Sequence, residues 1–278
     1  MGLPDIHSLW AGRPLGPLEQ ICLASFAARG HRVFLHSYEK YDLPDGVEWI
    51  SAETLCPKNK IIVCRRNNSL ALFGDYYRLL ILQNFDAVWA DADIYCLRAY
   101  DFDSDYIIPA AISGDSISYA SPAVLRAPRN SELLKEMLGV FEDYRRALPF
   151  FSLRQRIKFR LAALLNREFS LQDMPWGSGG PLALTHVTRK LNLTGQAIPQ
   201  HKVYAIQGPR LFDPDFDFRS RLGPDSYSVH FLHSQVPHGA PENPRTGSFY
   251  AWGVEQVGHM TPYFRSQGGK ASSRAAGL

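Results

Sequence analysis

Four cysteines in 278 residues, Cys22, Cys56, Cys64 and Cys96, leave little material for a disulfide framework. Their spacing fits no zinc template, and Cys22 and Cys96 sit in apolar runs that read as core. All four are expected to be free thiols, as in a reducing compartment. Long apolar runs are also missing: no stretch approaches the ~20 residues of a membrane-spanning helix. The opening Met1-Gly2-Leu3-Pro4-Asp5 lacks the basic-then-apolar layout of a secretion signal. The expectation is a cytoplasmic protein, peripheral at the inner face of any membrane it meets. A net charge of +3, with no long basic run, argues against nucleic acid as a partner. No internal repeat is present.

What the chain does have is enough apolar residue, 45%, to bury a full core, and an alternation of strand and helix patterns in its first half. Ile6–Trp10 reads as a strand, Leu18–Ala28 as a helix, Val33–Leu35 and Val47–Ile50 as strands. Asn68-Ser69 can cap a helix to Asn84, and the strand Ala87–Ala90 follows. Such alternation predicts an α/β fold with a doubly wound, mostly parallel sheet flanked by helices. Later, Tyr106–Ile112 and Ser118–Leu125 read as strands, Ser131–Arg145 and Phe150–Asn166 as helices, and Pro181 opens a helix to Lys190. Val203–Ile206 and Val229–Leu232 read as late strands. We expect one domain over 1–264, with a helical insertion at about 130–168, and a disordered tail over 265–278, where Gly, Ser, Ala and Lys dominate.

The chemistry concentrates where Ala87-Val88-Trp89-Ala90 ends in Asp91-Ala92-Asp93. Two carboxylates one residue apart, at the carboxyl end of a buried strand, suit a hard divalent cation. If the strand persists, both point to one side; a polar strand end making turns is the plainer alternative. Asp75 and Arg78 are three apart on the preceding helix, hence on one face, sixteen and thirteen residues before Asp91. Taken alone, they could be no more than a local ion pair.

The block Gly74-Asp75-Tyr76-Tyr77-Arg78-Leu79-Leu80-Ile81-Leu82, then Val88-Trp89-Ala90-Asp91-Ala92-Asp93-Ile94, resembles the DxD-motif sugar-binding region of family 32-type glycosyltransferases. Lactosylceramide α-galactosyltransferases and clostridial glucosylating toxins share that arrangement. Asp86-Ala87 stands where the family usually has a Gly-Gly pair. Weaker likeness runs through Ile6–Gly12, Ser178–Leu184 and Val229–Ser234.

The resemblance implies a GT-A fold and a metal-dependent, retaining hexosyl transfer from a UDP-sugar to a glycan or lipid-linked hydroxyl, as in polysaccharide or lipopolysaccharide synthesis. It implies Mn²⁺ (or Mg²⁺) on Asp91 and Asp93. A strand-end imidazole could complete that metal set: His230 is the expected ligand, with His233 as substitute or as a donor to the diphosphate. Asp75, Arg78 and Gly180 would line the donor site, Trp10 would stack on uracil, and Gln172 with Asp173 would lie beside the anomeric carbon. Asp93, Asp91 and Asp173 are the expected catalytic carboxylates.

Two rivals stand beside this reading. A haloacid dehalogenase-type phosphatase also places D-x-D after a strand, but Tyr95 occupies the position of its usual Thr or Val, and no late Lys then Asp-Asp pair follows. A non-catalytic sugar-nucleotide or glycan-binding module would bind UDP without turnover. Finally, 150–167 holds Arg154, Arg156, Lys158, Arg160 and Arg167 with no acid, among Phe150, Leu153, Ile157, Leu161 and Leu164 at helical spacing. That segment either makes a peripheral membrane contact or packs on the core with a solvated basic face.

Overall fold

A computed structural model describes residues 2–114, 116–142, 148–165, 170–236, 241 and 243–267. The named strands and α-helices follow in chain order. They run β1 (Asp5–Trp10), α1 (Pro17–Ala27), β2 (Val33–Ser37), β3 (Val47–Ser51), α2 (Ala71–Asn84), β4 (Ala87–Ala90), β5 (Ile94–Cys96), β6 (Pro109–Ser113), β7 (Ser116–Ala120) and β8 (Val124–Leu125). There follow α3 (Glu132–Glu142), α4 (Leu153–Leu164), α5 (Pro181–Lys190), β9 (Ile198–Pro199), α6 (Gln200–Val203), β10 (Tyr204–Gln207), β11 (Ser228–His230) and α7 (Phe249–Val257). Positions 166–168, including Arg167, and the expected tail from 268 lie outside the described residues.

The chain forms two compact units. The first contains 1–51, 90–102 and 201–278; the second contains 52–89 and 103–200. In the first unit β2 runs parallel to β1, with Ile6 opposite Val33 and Trp10 opposite Ser37. β3 runs parallel to β2 in turn. The βαβ step through α1 requires this orientation, because a helix returns the chain to the same end of the sheet. The fold is thus mixed α/β with parallel-rich sheets and flanking helices, as the alternation predicts.

A second small sheet sets up the site. β11 lies parallel to β10 and antiparallel to β5, with His230 opposite Ile94 and Ser228 opposite Cys96. β5 is only three residues long, too short to announce itself by periodicity. α1 and the turn after it anchor it: the Ser25 hydroxyl donates to Cys22 O and accepts from the Cys96 amide at 2.8 Å, and Arg29 Nε, just past the helix, donates to Leu97 O, just past the strand, at 2.8 Å. α7 is not expected from the sequence. Ser248 caps it by accepting from the Ala251 amide at 3.1 Å. Its Phe249 meets Tyr95 edge-on at 5.3 Å. Gly253 sits where an added Cβ would be 3.1 Å from the Tyr95 ring, so its missing side chain allows this approach. Together with Leu18, Ile21, Val229 and Phe231, these residues form the first unit's core. Each large side chain so buried contributes roughly 1.5–3 kcal/mol.

In the second unit β6 pairs antiparallel with β7 and parallel with β9. The span read as one strand over 118–125 is split, with β7 ending at Ala120 and β8 beginning at Val124. α5 occupies the expected span from Pro181 to Lys190, and Thr185 on it accepts from the Ala120 amide at 2.9 Å. All four cysteines are free thiols. No helix among the described residues is long and apolar enough to cross a membrane. Arg265, expected to open the tail, donates to both oxygens of Asp45 at 3.0 and 2.8 Å.

Candidate metal centre and donor site

β4 stops at Ala90, and Ala92 and Asp93 lie in a turn that closes with the Ile94 amide donating to Asp91 O at 3.0 Å. The strand therefore does not persist through the motif. The two carboxylates converge because the chain turns between β4 and β5, rather than by strand alternation.

β11 delivers the third group. Asp91, Asp93 and His230 offer ligand atoms that all lie within 4.8 Å of one another. His230 Nε2 is 3.3 Å from Asp93 Oδ1, and the other Asp93 oxygen accepts from the His233 amide at 2.8 Å. The Phe231 amide also donates to Asp93 O, at 3.1 Å, so the strand end is clamped to the turn. Burial by itself would raise the Asp93 carboxyl, but the His230 charge and hydrogen bond and the His233 amide hold it below the ordinary carboxylate range. Two carboxylates and one imidazole are a fitting donor set for a hard to borderline divalent cation.

His233 stands apart from that set. Its Nδ1 is 2.6 Å from Glu19 Oε1, and Arg13 Nη2 lies 3.1 Å from its Nε2. Arg13 also stacks over Trp10, its guanidinium carbon 4.9 Å from the ring centroid, while Trp10 Nε1 donates to Arg13 O at 2.9 Å. Thus the first unit assembles Asp91, Asp93 and His230, with Trp10, Arg13, Glu19 and His233 linked in a second cluster. Sequence reasoning misses Arg13 and Glu19. The available signal is Glu19 itself, the one charged residue in the helical run 17–27, and it is only 1% exposed.

The second unit gathers the remaining candidates. Arg78 Nη1 donates to Asp75 Oδ1 at 2.7 Å, and its guanidinium lies 5.0 Å from the Trp89 ring centroid. Gly180 presses against the same carboxylate: an added Cβ would sit 2.5 Å from both Asp75 oxygens. A cavity of about 230 Å³ opens beside Asp75 and Gln172, walled by Met174 and Trp176 among others. Gln172 and Asp173 are bound to a residue that no sequence motif marks. Arg65 donates to Gln172 Oε1 at 3.0 Å and to Asp173 Oδ2 at 3.0 Å. Asp173 also accepts from the Ser170 amide and hydroxyl in a capping box. Burial opposes ionisation of Asp173, but the Ser170 bonds and Arg65 outweigh it and lower its pKa.

No protein-family model matches the chain, and no curated protein sequence matches it. Among solved structures the chain is similar to PaToxG glycosyltransferase, at 12% identity over 70% of this chain and 75% of that one, with a TM-score of 0.43. It is similar to the ligand-free glycosyltransferase domain of the YGT toxin at 9% identity, over 72% and 81% of the two chains, TM-score 0.42. The apo WbbM bifunctional glycosyltransferase shows 11% identity over 95% of this chain and about half, 51%, of its own, TM-score 0.43.

Proposed function

We propose that the chain is a metal-dependent retaining glycosyltransferase of GT-A type, one domain over 1–264. In this reading it moves a hexose from a UDP-sugar to a hydroxyl of a glycan or lipid-linked acceptor in the cytoplasm. One observation carries the reading: Asp91, Asp93 and His230 converge at the end of β4. The Asp75–Arg78 pair at the family's spacing adds to it. A polar strand end serving only a turn would not need a buried histidine from a distant strand.

Asp91, Asp93 and His230 would hold Mn²⁺ (or Mg²⁺), whose charge, when bound, stabilises the departing diphosphate. Arg78 suits donor oxygens because its planar fork can bind two at once, and Asp75 fixes its orientation. The Arg13 guanidinium and the His233 ring supply N–H groups for the diphosphate, and Trp10 offers a face for the uracil. Gln172 and Asp173 contribute to the donor-sugar pocket beside Asp75. Retaining transfer on one face lets the leaving phosphate take the acceptor's proton, so no side chain is assigned as general base.

A panel of UDP-sugars, assayed for Mn²⁺-dependent UDP release, tests this. One donor should be hydrolysed, and Asp93→Ala should abolish turnover with the fold intact. Metal-dependent UDP binding with no donor turned over would instead make the chain a sugar-nucleotide binding module.

A further inference from the structure

Helix α4 presents its apolar side chains to solvent. Leu153 is 71% exposed, Ile157 49%, Leu161 52% and Leu164 78%. At 100° per residue these four fall within an arc of about 80°. Phe159, on the opposite side, is buried and stacks on Phe151 at 5.0 Å, so the inward face of the helix is already occupied. The outward stripe has cations on both borders, Arg154 and Lys158 on one side and Arg156 and Arg160 on the other. No carboxylate occurs from 150 to 165.

This arrangement excludes the packed alternative for the helix, in which the stripe would face the core. It also disfavours a second copy as the cover, because a symmetric contact would bring two sets of four cations together. Nucleic acid would match the cations but not a stripe of leucine and isoleucine without an aromatic face for the bases. A surface with anionic headgroups over hydrocarbon matches both features.

We propose that the outer face of α4 is a docking surface for an anionic lipid bilayer. The helix lies in the headgroup plane, with Leu153, Ile157, Leu161 and Leu164 entering the acyl boundary and Arg154, Arg156, Lys158 and Arg160 meeting lipid phosphates. This proposal is independent of the glycosyltransferase reading, since vesicle binding needs no turnover.

Co-sedimentation of the full chain with vesicles tests it, using phosphatidylcholine alone and phosphatidylcholine mixed with phosphatidylglycerol. Binding should appear only with the anionic vesicles and weaken with added salt. Arg154→Gln/Lys158→Gln should weaken it about 25-fold, at about fivefold per cation. Leu161→Ser/Leu164→Ser should weaken it more than tenfold. All four positions are exposed, so the thermal midpoints of both double variants should match the parent. Absence of binding, equal binding to neutral vesicles, or double variants that bind like the parent would each overturn the proposal. So would a dimer in sedimentation velocity that Leu161→Ser/Leu164→Ser dissociates while no vesicle is bound, which would give the face to a second copy.

Discussion

Glu19 brings a carboxylate oxygen to 2.6 Å from Nδ1 of His233, although Glu19 itself is almost wholly buried. Arg13 Nη2 lies 3.1 Å from Nε2 of the same ring, so both ring nitrogens have a charged neighbour. The amide of the same histidine donates to Asp93. One residue thus links a carboxylate on α1 to the carboxylate pair after β4, as outer-sphere partners link to metal ligands elsewhere.

Glu19→Gln keeps the volume and a hydrogen-bonding group but removes the charge. We expect it to weaken Mn²⁺ binding about tenfold and to cost about 1–3 kcal/mol of stability. Titration calorimetry and urea unfolding measure the two effects separately. Unchanged metal affinity alongside lowered stability would confine Glu19 to a structural role.

The two late histidines should separate cleanly. With Mn²⁺ at about 100 times its Kd, the parent should gain about 2.7 kcal/mol of stability. His230→Ala should lose nearly all of that gain, because its ring supplies a ligand atom in the cluster. His233→Ala should keep most of it, since that ring faces Glu19 and Arg13. The reverse pattern in metal-induced thermal shifts would reassign the third ligand.

Much of this site is legible in the amino-acid sequence. Asp91 and Asp93 announce themselves by following an apolar strand, and Asp75 with Arg78 by helical spacing. What is not legible depends on non-local pairing. Nothing in Ser228-Val229-His230 says that it lies antiparallel to Ile94-Tyr95-Cys96, yet that pairing puts the His230 ring beside Asp93. The turn at Asp91–Asp93 is hidden because a two-residue period and a tight turn can bring the same carboxylates together. α7 escapes because Phe249, Tyr250 and Trp252 with an internal glycine leave only Glu255 and Gln256, adjacent near its end, to mark a polar face. α4 is ambiguous in another way: its apolar period is real, but the period alone does not say whether the stripe faces the core or, as it does, outward.

Gly180→Ala should damage both fold and site. The new Cβ would lie 2.5 Å from both Asp75 oxygens, closer than any real contact, and Arg78 Nη1 holds that carboxylate at 2.7 Å. A cost of about 1–3 kcal/mol is expected, with donor hydrolysis falling further than stability because Asp75 must shift away from Arg78. Paired Asp75→Ser/Gly180→Ala should recover most of the stability in urea melts without recovering activity. Additive losses would show that the clash is not with Asp75.

The buried pair His7 and His36 should make folding sensitive to mild acid. The rings face each other across β1 and β2, with Nδ1 of His7 2.9 Å from Nε2 of His36. Burial, aided by the Arg32 charge, lowers His7 from 6.5 to about 4. Burial, aided by His7, lowers His36 from 6.5 to about 3. In the unfolded chain both titrate near 6.5. Below that pH the unfolded state takes up protons that the folded state refuses, so stability falls as pH drops and levels off only when the folded rings titrate. Two such groups cost about 2.7 kcal/mol per pH unit between about pH 6 and 4.5. His31 and His186, also lowered by burial, add in the same direction. Carboxylates such as Asp93, with a folded pKa below its ordinary 3.8, withdraw stability only at lower pH, so the histidine window is separate. Urea midpoints should therefore drop steeply from about pH 7 to about pH 5. His36→Gln should roughly halve the slope, because one titrating ring is gone while burial and Arg32 still hold His7 down. A midpoint flat over that range would mean that both rings protonate in the folded protein as readily as in the unfolded chain.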